Sequence, residues 1–161
     1  MSQKELEIIK DALLIENEGY QFYKMAAEQS KSKEEREAFN KLADEERKHI
    51  EYLKELYEGL DEDKEIDIFD ISAPKSPGLF DWDKVNNKKG SMALSVFGIG
   101  VKFEKEAVDF YKEAVEKSDS PEAKKLYEVL IDWEKQHLND FQKQYDLLKE
   151  DWWHEQGFAP F

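Results

Sequence analysis

Two residue pairs in this chain have the types and spacing of a metal-binding grip, Glu46-x-x-His49 and Glu134-x-x-His137. In a helix a residue and its third successor sit about 60° apart around the axis and roughly 4.5 Å apart along it, so one cation can take both side chains. Such pairs arise by chance in any charged helix, and what singles these out is their position. Phe39, Leu42, Glu46, His49, Leu53, Leu56 and Leu60 follow the 3-4-3-4 spacing of the stripe that a helix buries. Tyr127, Leu130, Glu134, His137, Phe141 and Leu148 form a second such stripe. Both carboxylates and both imidazoles are therefore directed into a core.

Two further glutamates lie on stripes of the same kind. Glu16 falls among Leu6, Ile9, Leu13, Tyr20, Tyr23 and Ala27, and Glu104 among Phe97, Val101, Val108, Tyr111 and Val115. The halves repeat at an offset of 88 residues: Glu16 matches Glu104, Phe22-Tyr23-Lys24 matches Phe110-Tyr111-Lys112, Asp44 matches Asp132, and Glu46…His49 matches Glu134…His137. In each half 30 residues separate the lone glutamate from the Glu-x-x-His pair, and the midpoints, Lys31 and Asp119, fall in turns. Each half is thus an antiparallel helical hairpin that sets its two glutamates level. Glu16, Glu46, His49, Glu104, Glu134 and His137 then converge at mid-bundle.

Burying even one unpaired charge costs several kcal/mol. No lysine or arginine falls on the four stripes at this level. Two divalent cations would cancel four carboxylates. Oxygen and imidazole donors without sulfur suit iron or manganese, with zinc as an alternative.

The elements that must position these residues begin with Ser2-x-x-Glu5 and Ser32-x-x-Glu35, two capping-box signatures, and with Ser120-Pro121 ahead of the fourth helix. Ser91 is the expected N-cap of the third. Gly98 and Gly100 are unusual inside it, and imply a late helix start or a closely packed neighbouring backbone. From 61 to 90 the helical pattern lapses into Ala73-Pro74-Lys75-Ser76-Pro77-Gly78 and Phe80-Asp81-Trp82, long enough to run back along a whole helix. The expectation is an all-α, ferritin-like antiparallel four-helix bundle with a long crossover between helices 2 and 3. It forms one domain over 1–161, with residues 150–161, rich in Trp152, Trp153, Phe158 and Phe161, as an aromatic tail. That tail would dock on its own bundle or on a second copy, and a homodimer is expected.

Composition narrows the function. With 38 acidic against 24 basic residues the formal charge is −14, which argues against nucleic acid or an anionic membrane as partner. The absence of cysteine excludes thiolate ligands and thiol nucleophiles within these residues. No signal-peptide pattern and no run of about 18 apolar residues is present, so a cytoplasmic location is expected.

The motifs Glu16-x6-Tyr23, Ala43-Asp44-x-Glu46-x-x-His49, Glu104-x6-Tyr111 and Asp132-x-Glu134-x-x-His137 resemble the di-iron domain of rubrerythrin, in the ferritin-like superfamily, over residues 4–150. The resemblance implies two iron ions held by bridging carboxylates with one histidine each, and reduction of hydrogen peroxide to water. Glu46 and Glu134 would be the bridges, and Glu16, His49, Glu104 and His137 more terminal ligands; spacing leaves open which histidine shares a metal with which glutamate. Tyr23 and Tyr111 match tyrosines beside the family's site and are the candidate catalytic residues, although large core residues whose hydroxyl needs a partner would read the same. Typical rubrerythrins also carry an iron centre held by four cysteines, so electrons here would come from an external donor such as a rubredoxin-like protein. They commonly have an extra glutamate where this chain has Ala107. A ferritin-type iron store that takes dioxygen and a bundle with a merely structural polar network are the alternatives. The purified protein should bind two metal ions per chain, and Glu46→Ala or Glu134→Ala should lose metal together with thermal stability. An unchanged melting temperature after chelation would refute this, because a filled site must stabilise the fold by mass action.

Overall fold

The protein was analysed as a computed structural model that describes residues 1–61 and 90–157, with side chains described for 1–61 and 94–157. Four helices account for nearly all of them: α1 (Gln3–Gln29), α2 (Lys33–Asp61), α3 (Gly90–Lys117) and α4 (Pro121–Glu155). α1 and α2 form one hairpin and α3 and α4 the other. The hairpins meet through α1 against α3 and α2 against α4.

Contacts at the two ends fix the helix directions. Glu5, near the start of α1, bonds to Ser118 beyond the end of α3, so these helices run antiparallel. Phe39, near the start of α2, packs its ring 5.8 Å from that of Phe97, near the start of α3, so α2 and α3 run parallel. Asp61 and Gly90 therefore lie at opposite ends of the bundle, as a long crossover requires. The stretch expected to be that crossover falls, apart from these two ends, outside the described residues.

Two apolar clusters fill the interior. Ile9, Leu53, Leu56, Tyr111, Leu126 and Leu130 pack together at one end. Phe22, Tyr23, Phe39, Leu42, Phe97 and Phe141 pack together at the other. The six polar residues lie in the layer between, on rigid helix backbone rather than on loops.

Local features differ from the sequence expectations in five places. On α1 the buried face is turned slightly, so that Glu5, Ala12 and Gly19 are buried while Leu6, Leu13 and Tyr20 are half-buried. The Ser2 cap forms, its Oγ accepting from the Glu5 amide at 3.1 Å. The Glu5 carboxylate does not complete the box, however, because Ser118 Oγ donates to it at 2.7 Å and Tyr127 Oη at 2.9 Å. Ser91 is not an N-cap, since α3 already includes Gly90. Gly98 and Gly100 lie within regular helix, and the close neighbours are aromatic rings rather than backbone: a Cβ on Gly98 would stand 3.2 Å from the Tyr145 ring and one on Gly100 3.2 Å from that of Phe141. Finally, α4 continues to Glu155, so Trp152 and Trp153 are helical where a tail was expected. Residues 158–161 lie outside the described set.

Glu5 thus ties the first turn of α1 to the α3–α4 connection. Glu5→Ala would strand the buried Tyr127 hydroxyl and leave that of Ser118 only its bonds with the Ser120 backbone, and should cost about 1–3 kcal/mol in urea unfolding of the metal-free protein, while Glu5→Gln should recover most of that loss. Equal stability of Glu5→Ala and the parent would show that the tie contributes nothing.

Candidate metal centre

Glu16, Glu46, His49, Glu104, Glu134 and His137 are each no more than 3% exposed. They divide into two sets, Glu16, Glu46, His49 and Glu134, and Glu46, Glu104, Glu134 and His137, and within each set one ligand atom per residue lies within 4.8 Å of all the others. Glu46 and Glu134 belong to both sets, the placement that bridging carboxylates would need. In space each histidine lies beside the lone glutamate of its own half and beside Glu134. His49 Nδ1 is 3.1 Å from Glu16 Oε2 and 2.9 Å from Glu134 Oε1, and His137 Nδ1 is 3.6 Å from Glu104 Oε1 and 3.3 Å from Glu134 Oε2. Nδ1 is the nitrogen that each ring turns toward the carboxylates.

The tyrosines tie the two halves crosswise. Tyr23 Oη donates to Glu104 Oε1, and Tyr111 Oη donates to Glu16 Oε1. Each half's tyrosine therefore holds the lone glutamate of the other half. Burial, and then the facing glutamate, pushes both phenols well above their usual range, so both remain protonated donors.

Burial, followed by the charges of Glu134 and Glu46, raises the Glu16 carboxyl well above the usual range, and burial with Glu134 does the same to Glu104. For the histidines burial works against the charged ring. It is outweighed by Glu16 and Glu134 around His49 and by Glu104 around His137, so both are raised well above ordinary histidine. Glu134 moves the other way: burial opposes its charge, but His49 holds it well below the usual range. Without metal, these directions favour the protonated forms of Glu16, Glu104, His49 and His137 and the ionised form of Glu134. Dications in the layer would supply positive charge to the same carboxylates.

Hydrogen bonding tests whether a metal pair fits. Both carboxylate oxygens of Glu134 and Nδ1 of His137 are buried without a hydrogen-bond partner among the described residues, although all face into the cluster. Orphaned buried groups of this kind are costly in a finished core, and lone pairs aimed at a common point are what a cation satisfies. Six oxygen and imidazole donors with shared bridging carboxylates fit two hard or borderline dications. A hollow between α1 and α3, lined by Glu16, Gly19, Tyr23, Glu46, Glu104 and Ala107, leads to the carboxylate layer.

A protein-family model described as Rubrerythrin matches residues 7–145. The chain belongs to the rubrerythrin family. A solved structure described as a hypothetical protein from Pyrococcus furiosus is 28% identical, with a TM-score of 0.68, over 93% of this chain and 92% of that one. No curated protein matches. Membership of the rubrerythrin family and the buried ligand cluster together make this a candidate di-iron centre.

Sequence reasoning missed two residues that touch the site. Glu45, on the flank of the predicted α2 stripe, is buried and accepts from Trp133 Nε1 at 2.9 Å and from His137 Nε2 at 2.5 Å. A signal existed in the 88-residue repeat, which sets Glu45 opposite Trp133, but nothing in the spacing says that the two touch.

Because Glu16, Glu104, His49 and His137 are all raised, metal uptake should release protons, and apparent affinity should fall as pH falls. Calorimetric metal titrations in buffers of different ionisation enthalpy measure this release. Uptake without proton release would show that the layer is not protonated as described.

Proposed function

We propose that the protein reduces hydrogen peroxide to water at a di-iron centre, drawing electrons from an external donor. The observation that supports this reading best is the pair of buried ligand sets sharing Glu46 and Glu134, reached by a hollow that passes Gly19 and Ala107. The two smallest side-chain positions lining the hollow leave room for a small oxidant beside the carboxylates and for little else. Iron held there by Glu16, Glu46, His49, Glu104, Glu134 and His137 would supply two electrons, for the balance H2O2 + 2H⁺ + 2e⁻ → 2H2O.

The chain's own residues handle protons and access. Tyr23 and Tyr111 hold their protons at Glu104 and Glu16, the carboxylates that line the same hollow, and so keep a donor beside the position an oxidant would take. The packed aromatic and leucine layers on either side exclude bulk water. The 161 residues include no cysteine and so supply no thiolate-bound relay, and the donor in this proposal is a rubredoxin-like protein. A homodimer in the cytoplasm belongs to the same proposal. Trp152 and Trp153, half-buried on the last turns of α4, are the surface on which a second copy would close. No described helix is long and apolar enough to cross a membrane.

Anaerobically reduced, iron-loaded protein should be oxidised faster by peroxide than by dioxygen, and should stop after one equivalent per site unless a donor is added. Ala107→Leu should slow that oxidation about tenfold or more by filling the hollow, with two irons still bound. If dioxygen reacted as fast as peroxide and excess ferrous iron accumulated as many ferric ions per chain, iron storage would replace this reading.

A further inference from the structure

The internal repeat makes the six candidate ligands symmetric, and the residues behind the histidines break that symmetry. His49 and His137 are related by the 88-residue offset, as are Glu45 and Trp133. A symmetric centre would place the same group behind both rings. Instead Glu45 Oε2 lies 2.5 Å from Nε2 of His137, while the Trp133 ring stands edge-on to His49 with centroids 4.6 Å apart. His49 Nε2 is buried and has no hydrogen-bond partner among the described residues.

We propose that Glu45 is a positioning residue that makes the two metal positions unequal, strengthening His137 as a ligand over His49. A carboxylate on Nε2 keeps the ring proton there and leaves the Nδ1 lone pair turned toward Glu46, Glu104 and Glu134. It also raises the donor strength of that lone pair, as carboxylates behind metal-bound histidines do, commonly by 10–100-fold in metal affinity. Trp133 serves both positions: its indole N–H donates to the same oxygen of Glu45 at 2.9 Å, which fixes the carboxylate, and its ring occupies the equivalent ground at His49. The position formed with Glu104 and His137 is therefore the tighter one and fills first.

This inference rests on reading the layer as a two-metal centre and not on the peroxidase activity. Metal-free protein titrated with Co²⁺, followed by cobalt absorption with a competing chelator, should bind in two unequal steps. Glu45→Gln keeps the shape of the side chain and removes its charge. It should weaken the first step about 10–100-fold and leave the second nearly unchanged, so that the steps merge. Trp133→Phe, which removes the N–H that steers Glu45 together with part of the ring beside His49, should also weaken the first step, and serves should Glu45→Gln fail to fold. In a His49→Ala background the Glu45→Gln effect should persist, and in a His137→Ala background it should vanish. Two equal steps in the parent protein, or a Glu45→Gln change that moves both steps together or neither, would overturn the proposal. Failure to bind cobalt at all would overturn the metal-centre reading on which it rests.

Discussion

Six ionisable side chains confined to one buried layer set the terms for the rest of this structure. A carboxylate moved from water to such a place needs an opposite charge or a proton, and four together need four. In the metal-free arrangement burial and the neighbouring charges raise Glu16, Glu104, His49 and His137, which favours their protonated forms, and divalent cations would supply the same opposing charge. Because protons and metal ions can each supply opposing charge, the bundle can hold the cluster between two packed apolar clusters and still exchange one for the other. A lysine or arginine at this level would have filled the charge requirement permanently and closed the site to metal.

The scaffold around this layer is stiff because every candidate ligand is carried by a long helix. α2 and α4 each present Glu and His three residues apart, and α1 and α3 each present one Glu. The crosswise bonds Tyr23 to Glu104 and Tyr111 to Glu16 join the hairpins at the site itself, so the terminal carboxylates are oriented by the half to which they do not belong. At one end of the bundle Glu5, Ser118 and Tyr127 make a second polar tie, fully partnered, while at the other Gly98 and Gly100 let the rings of Tyr145 and Phe141 close on α3. Placement of the ligands thus depends on bonds between halves as much as on those within each hairpin.

The repeat supplies a symmetric set of ligands and an asymmetric surround. Glu45 behind His137 and Trp133 behind His49 come from equivalent sequence positions, yet one is a charged acceptor and the other an aromatic edge. Similarly, Gly19 and Ala107, equivalent by the same offset, share the wall of the hollow between α1 and α3. Two metals that share bridging carboxylates need not be alike, because the groups behind the ligands tune them.

The sequence by itself determined the four-helix pattern, the six candidate ligands and their common level. Helical periodicity and equal spacing in the two halves are local properties, and burial of a polar stripe residue is visible wherever leucines and phenylalanines flank it. Only the tertiary structure decided the pairing of histidines with glutamates, the crosswise partners of the tyrosines and the part played by Glu45 and Trp133. The tyrosine and Glu45 contacts join residues from different hairpins, the pairs Glu16–His49 and Glu104–His137 join the two helices of one hairpin, and spacing along one helix carries no information about what faces it from another. The same limit explains the smaller differences: Ser2-x-x-Glu5 reads as a local cap until Ser118 and Tyr127, more than a hundred residues away, take its carboxylate. Gly98 and Gly100 are unexplained until the rings of Tyr145 and Phe141 are set against them.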